Sequence, residues 1–197
     1  MSYRMRNLLF VSSIVFASLL HVTTADAADS AHGPVHVQAS PLGVGILFYP
    51  GTTVSNPIAG TTTVGGGSVA AYRVDAEVGF HFTGRHDGFA LGVRQAFYFR
   101  NGTIGTTTLR LGWDIPIPIG DGGLELTIAP YAHAGVAYSF EGGDPLFHFG
   151  FGADGRLFFA RELGLYAFVR PVELSFLVNS ATTLPAVSFG AGAGWAF

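Results

Sequence analysis

From residue 42 to the end of the chain, apolar residues alternate with polar or small ones at a period of two. Clusters of Gly, Asp, Asn and Pro interrupt the alternation at intervals. This pattern predicts β-strands with one apolar face, separated by turns. The last segment is the clearest. Val187, Phe189, Ala191, Ala193, Trp195 and Phe197 take one face, and Ser188, Gly190, Gly192, Gly194 and Ala196 take the other. Further strands are predicted over 42–49, 72–82, 89–99, 109–117, 124–140, 147–159 and 163–178, about eight in all. In the penultimate strand the phase slips near Arg170 and Pro171. Proline cannot donate to a ladder, so a bulge is expected there.

Alternation alone does not say which face meets water. A soluble barrel would bury its apolar face, and a transmembrane barrel would turn it outward. Hydrophobic residues make up 49% of the chain and charged residues only 12%, about half the charge of a typical soluble domain. The polar face is mostly Gly, Ala and Ser, which suits the crowded inside of a narrow barrel. Its charges balance: Asp75, Glu77, Asp114, Glu125, Asp154 and Glu173 against Arg73, Arg94, Arg100, Arg110, Arg156 and Arg170. Buried charges require partners, and pairing requires such balance. No charged residue falls in the apolar phase, where an arginine at mid-bilayer would cost about 2–4 kcal/mol. Gln95 is the one awkward polar residue there. Aromatic residues gather near both sets of strand ends: Phe48, Tyr72, Phe97, Phe99, Tyr138, Phe140 and Phe147 at one, and Phe80, Phe82, Phe89, Phe159, Trp195 and Phe197 at the other. Two such girdles about 25 Å apart flank a bilayer. The expected fold class is therefore all-β: an eight-stranded antiparallel up-and-down transmembrane barrel with an apolar exterior and a polar, side-chain-filled lumen.

Residues 1–27 read as an export signal. Arg4 and Arg6 precede an apolar stretch over 8–20, too short to span a bilayer comfortably, and Ala25-Asp26-Ala27 offers a small-x-small cleavage site. Residues 28–197 then form the barrel, and no later apolar run is long enough for a transmembrane helix. The chain has no cysteine, which excludes disulfides and thiolate chemistry. The net charge of −3 carries no nucleic-acid footprint.

With this pattern the region after the signal resembles the small eight-stranded outer-membrane barrels of the OmpA/OmpX type. The last strand, with Phe189, Trp195 and Phe197 in phase, resembles the C-terminal signal read by the bacterial barrel-assembly machinery. The resemblance implies an integral outer-membrane location and contact with outer-membrane lipids. It also implies passage through the assembly machinery, and no nucleic-acid partner. A monomer is the favoured state. The chain stops at Phe197, so the peptidoglycan-binding domain of full-length OmpA-like proteins is not expected.

An even strand number puts both ends on one side, expected to be periplasmic. Tight turns are then expected at 84–88, 120–123 and 161–162, with Asp-Gly steps suited to type I′ geometry. The other loops span 51–66, 101–105, 141–145 and 179–185, and only the first is long. Centred turns predict three lumen pairs: Glu77 with Arg94, Arg94 with Asp114, and Asp154 with Arg170. These belong to an expected structural ion-pair network of Arg73, Asp75, Glu77, Arg94, Arg110, Asp114, Glu125, His133, Asp154, Arg156, Arg170 and Glu173. Eight strands leave an interior just wide enough for side chains, so a plugged lumen is expected.

The favoured function is a structural or interaction role without enzymatic activity, catalytic residues or cofactor. One alternative is a narrow channel for ions or small apolar solutes. Another is an outer-leaflet lipid-modifying enzyme, since one register sets Ser139 opposite His148, with Asp144 nearby as an orienting acid. No metal site is expected. His81, His133 and His148 fall on different strands without ligand spacing, and His32 and His36 fall in a segment read as flexible.

Overall fold

The computed structural model describes residues 33–49, 52–56, 60–100, 102–119, 124–160, 163–179 and 183–197. The expected export signal, the 120–123 turn and the 161–162 turn lie outside the described residues. Among the described residues ten strands run in chain order: β1 (Val35–Tyr49), β2 (Thr52–Asn56), β3 (Gly60–Val64), β4 (Gly67–His81), β5 (Gly88–Phe99), β6 (Thr103–Ile119), β7 (Leu124–Ser139), β8 (Leu146–Ala160), β9 (Leu165–Val178) and β10 (Thr183–Ala196). Eight of them close into one antiparallel barrel in the order β1-β10-β9-β8-β7-β6-β5-β4. The remaining two, β2 and β3, pair with each other as a hairpin within the 51–66 loop. Each barrel strand pairs with its neighbours along the chain, and β1 closes the ring on β10. The first and last strands meet at one end of the barrel, where Val35 N donates to Phe197 O (3.1 Å) and Phe197 N donates to Val35 O (2.8 Å). That end is the terminal end, and the opposite one is the loop end.

The first strand starts seven residues before the predicted Leu42. The reason is a register shift between Ser40 and Gly43, at Pro41. Before it, the even positions His36, Gln38 and Ser40 are buried in the lumen. After it, the inward phase moves to the odd positions, as at Gly43. A strand whose phase flips midway shows no continuous period of two, so its first half reads as irregular. His36 is accordingly not in a flexible segment but buried in a strand. In β9 the slip near Arg170 and Pro171 is also a register irregularity, against both neighbours. The sixth strand starts at Thr103 rather than Leu109, because the threonine-rich stretch before Leu109 continues the ladder. The 84–88 turn is not a two-residue type I′ turn. It is a wider loop in which the Thr83 hydroxyl lies 2.8 Å from both the carbonyl and a carboxylate oxygen of Asp87.

The outward face carries Leu42, Val44, Leu109, Leu111, Trp113, Val136, Phe151, Val169 and Trp195, all strongly exposed. The awkward Gln95 has a physical account on this face. Its amide donates to the Tyr138 hydroxyl (2.9 Å), and its carbonyl accepts from Thr107 (2.6 Å), so its polar atoms are satisfied without water.

The lumen is not polar throughout. At the terminal end it is filled by Phe158, Tyr166 and Phe168, all buried together with Ala196. Glycines on β10 admit these rings. A Cβ at Gly194 would sit 2.3 Å from the Tyr166 ring, and one at Gly192 would sit 2.0 Å from the Ala39 carbonyl and 2.9 Å from the Phe168 ring. The Gly-x-Gly-x-Gly pattern of the last strand is therefore a space requirement, imposed by Ser40 and Ala39 on β1 as well as by Phe168 and Tyr166 on β9.

Candidate functional site

The middle of the lumen holds a continuous chain of alternating charges. Arg110 bonds Glu77 at short range and Asp154 at 3.0 Å. Arg170 bonds Asp154 (2.8 Å) and Asp75 (3.1 Å). Arg73 bonds Asp75 (3.0 Å) and Glu173 (2.9 Å), and Arg94 ends the run on Glu173 (2.6 Å). The order Glu77, Arg110, Asp154, Arg170, Asp75, Arg73, Glu173, Arg94 crosses the lumen between β4, β5, β6, β8 and β9. Gln38 on β1 donates to both Glu77 (3.2 Å) and Asp154 (3.3 Å). Arg73, Arg94, Arg110 and Arg170 are all buried. Such charges persist only because each meets an opposite charge or a hydrogen-bond partner.

The seventh strand contributes no charge to this chain but supplies its hub. The guanidinium carbon of Arg110 lies 3.9 Å from the centre of the Tyr131 ring, with Arg94 at 5.4 Å and Arg170 at 5.6 Å. The Tyr131 hydroxyl donates to Glu173 (2.6 Å). Three cations around one aromatic ring are attracted by its quadrupole, and the hydroxyl satisfies a carboxylate already shared by two arginines. Tyr131→Phe keeps the ring and loses the charge-assisted bond. It is expected to cost about 1.5–3 kcal/mol in urea unfolding of the refolded protein. No change would show that the hydroxyl contributes nothing to the network.

Two sequence-predicted pairs have a different fate from the third. Asp154 and Arg170 are in direct contact. Glu77 and Arg94 lie directly opposite in the β4–β5 register, yet each makes its close ion pair with another partner, Arg110 and Glu173. Arg94 does not face Asp114. The register sets Thr108 opposite Arg94 and Gly88 opposite Asp114, because the β5–β6 connection centres on residue 101 rather than Ile104. Asp114 instead pairs at short range with Arg156. Glu125 is buried and accepts from Thr127 (3.4 Å). His133 accepts from Arg94 (3.1 Å), and its ring centre lies 4.9 Å from that of His148.

Towards the loop end, a cavity of about 510 Å³ opens above the charges, lined among others by Tyr98, Thr106, His148, Ser175 and Leu177. Ser139 and His148 both border it, but they do not face each other. His148 pairs with Gly135, and Ser139 lies four residues further along β7, roughly 13 Å at 3.3 Å per residue. Ser139 also accepts from the Glu141 backbone (3.2 Å). A Ser–His dyad is therefore not assembled.

Towards the terminal end, His36, His81 and His86 gather beside Asp114 and Arg156. All three are buried, and one ring nitrogen from each lies within 4.8 Å of the others. Burial, and then the adjacent Arg156 guanidinium, hold the His86 imidazole in the 84–88 turn well below its ordinary range. The sequence pattern sets His36 in a flexible segment and assigns no role to His86, whereas the structure places both beside His81. Strand pairing and the turn bring together residues that are far apart in sequence. His36 was legible only if the alternation of Val35, Val37 and Ala39 against His36, Gln38 and Ser40 is read separately from the residues after Pro41. The roles of Tyr131 and Gln38 carried no signal of their own.

An all-antiparallel, closed eight-stranded ring with apolar side chains outward is the fold of the small outer-membrane β-barrels. Among solved structures the chain is similar to Neisserial surface protein A, with 12% identity, 83% of this chain and 97% of that chain covered, and a TM-score of 0.50. It is also similar to the N-terminal β-barrel domain of Pseudomonas aeruginosa OprF, with 13% identity, 79% and 99% covered, and a TM-score of 0.38. No protein-family model and no curated protein matches the sequence.

Proposed function

We propose that the chain is a small integral outer-membrane barrel with a structural or interaction role. Both chain ends lie on the periplasmic side, and the lumen is closed by the Glu77-to-Arg94 ion-pair chain. That uninterrupted run of buried, mutually paired charges carries the reading. A conducting pore needs charged groups that a passing ion can reach and leave, whereas these groups are buried and paired with one another around Tyr131. Below them, Phe158, Tyr166 and Phe168 pack the terminal end together with the buried His86 ring. Outer-membrane lipids contact the apolar exterior, and Phe189, Trp195 and Phe197, exposed on the outer face at the end of the chain, supply the signal to the barrel-assembly machinery. The separation of Ser139 from His148 argues against the lipid-modifying alternative.

Single-channel recording in planar bilayers tests this reading. Protein shown to be folded by its heat-sensitive gel mobility is expected to give no steady conductance. Discrete, reproducible current steps would sink the plugged barrel and promote the narrow channel.

A further inference from the structure

We infer that His36, His81 and His86, together with the Asp114 carboxylate, form a binding site for a divalent transition-metal ion of the zinc class inside the terminal end of the barrel. The site shares no residue with the ion-pair chain itself, apart from the contact of His36 with Glu77.

The donor geometry fits such an ion. His81 Nε2 lies 2.9 Å from Asp114 Oδ2, and His86 Nε2 lies 3.3 Å from the same oxygen. Donors about 2.0–2.1 Å from a tetrahedral zinc stand about 3.4 Å from one another, so these separations already approach the edge length of a coordination polyhedron. The rings converge as ligands do. Their centres are 4.3 Å apart for His81 and His86, 5.1 Å for His36 and His81, and 5.5 Å for His36 and His86.

The hydrogen bonds behind the rings fit it independently. His36 Nε2 faces Glu77 Oε1 at 3.3 Å. Donation to that carboxylate leaves the lone pair on Nδ1, which is buried and has no hydrogen-bond partner among the described residues. A carboxylate holding the far nitrogen of a ligating histidine is the usual outer support of a metal site. His81 has an acceptor at each nitrogen, Asp114 at 2.9 Å and the Pro34 carbonyl at 3.3 Å. With the proton on Nδ1 towards Pro34, the Nε2 lone pair faces a carboxylate oxygen, an arrangement that a cation between them stabilises.

The surroundings leave room for the rings. Across from His36 on β4 is Gly79, where a Cβ would come within 2.1 Å of the His36 ring. A void of about 10 Å³, near the room one small ion or water takes, lies beside the cluster, touching His36 and Asp114 together with Glu77, Arg110 and Arg156 but not His81 or His86. Arg156 is the competitor. Its Nη1 bonds Asp114 at short range and donates to His86 Nε2 at 3.2 Å, so the same donors already attract a cation. Entry of the metal breaks that contact, and the guanidinium retains Asp154 and Glu77 within its electrostatic reach.

The test uses the untagged chain, refolded in detergent and checked for heat-sensitive gel mobility, titrated with Co(II) and Zn(II). The expected result is saturable binding of one equivalent, with visible Co(II) bands of low coordination number that Zn(II) bleaches. At a free Zn(II) concentration of about 100 times Kd, the folding constant rises about 100-fold. His86→Asn, in a turn where strand pairing is untouched, and His81→Asn each weaken binding at least about tenfold, the lower end seen even for lost outer-shell support. His133→Asn and His148→Asn leave it unchanged. Absence of saturable binding to folded protein overturns the site. So does binding that survives His81→Asn and His86→Asn, which would move it to other histidines.

Discussion

Replacing Glu173 by alanine is expected to destabilise the barrel by about 3–5 kcal/mol, the cost of stranding a buried charge, and to cost more than replacing Asp154. The two carboxylates differ in what depends on them. Asp154 is bonded by Arg110 and Arg170, but Arg110 keeps Glu77 and Arg170 keeps Asp75 when it is removed. Glu173 is bonded by Arg73, Arg94 and Tyr131. Arg73 then retains Asp75, whereas the close ion pair of Arg94 is with Glu173 alone, leaving it hydrogen bonds to the His133 ring and the Tyr131 hydroxyl. The network is thus redundant in its middle and dependent at its end. Urea unfolding in lipid vesicles, followed by gel mobility, measures both variants. Equal losses would mean that the charges relax freely to new partners. The companion variant removes both partners of that terminal pair, Glu173→Leu with Arg94→Met. It is expected to recover much of the loss, because apolar residues of similar volume often replace a buried pair at little cost.

The parts of this molecule that were legible in the sequence are those in which one period runs undisturbed. The last strand from Val187 to Phe197 and the Phe147–Phe159 segment alternate almost without a break, and their two faces were readable residue by residue. Strand starts were lost where the chain breaks its own period. Pro41 shifts the inward phase from even to odd positions and hid the first half of β1, and with it His36. The threonine run before Leu109 has no apolar contrast, so the predicted strand began only at Leu109. That in turn displaced the centre of the β5–β6 connection and produced the mistaken Arg94–Asp114 pair. The balance of charges was visible in the sequence, but the partners were not. In a narrow lumen an arginine spans the barrel, so Arg94 passes over Glu77 on the adjacent strand and ends on Glu173 across the interior. Cross-strand register decides which Cα atoms are neighbours, and side-chain length decides which charges meet. The histidine cluster depends on both register and turn conformation, since His86 comes from the 84–88 turn and folds back over the lumen. No spacing rule along one strand or helix describes it.

Leu109→Arg is expected to cost about 2–4 kcal/mol in a bilayer, without altering the lumen. Leu109 lies on β6 between the loop-end and terminal-end aromatic residues, is 59% exposed, and pairs with Val93 and Ala134 on its two sides. Arg110, the next residue, faces inward and is buried. Two adjacent positions on one strand therefore meet opposite environments, and the same residue type that is held by Glu77 and Asp154 at 110 has no acidic partner in lipid at 109. Phe82→Arg, near the terminal-end interface, supplies the depth control and is expected to cost about 0–1 kcal/mol, since a long side chain there reaches water. The discriminating comparison is between lipid vesicles and aqueous solution. If the exposed apolar face met water, an arginine at 109 would be neutral or would improve solubility. A cost at 109 that vanishes at 82 can come only from a face whose surroundings change from hydrocarbon to water along the barrel axis. Equal and negligible costs at both positions would contradict a membrane-spanning barrel, however well the strands close.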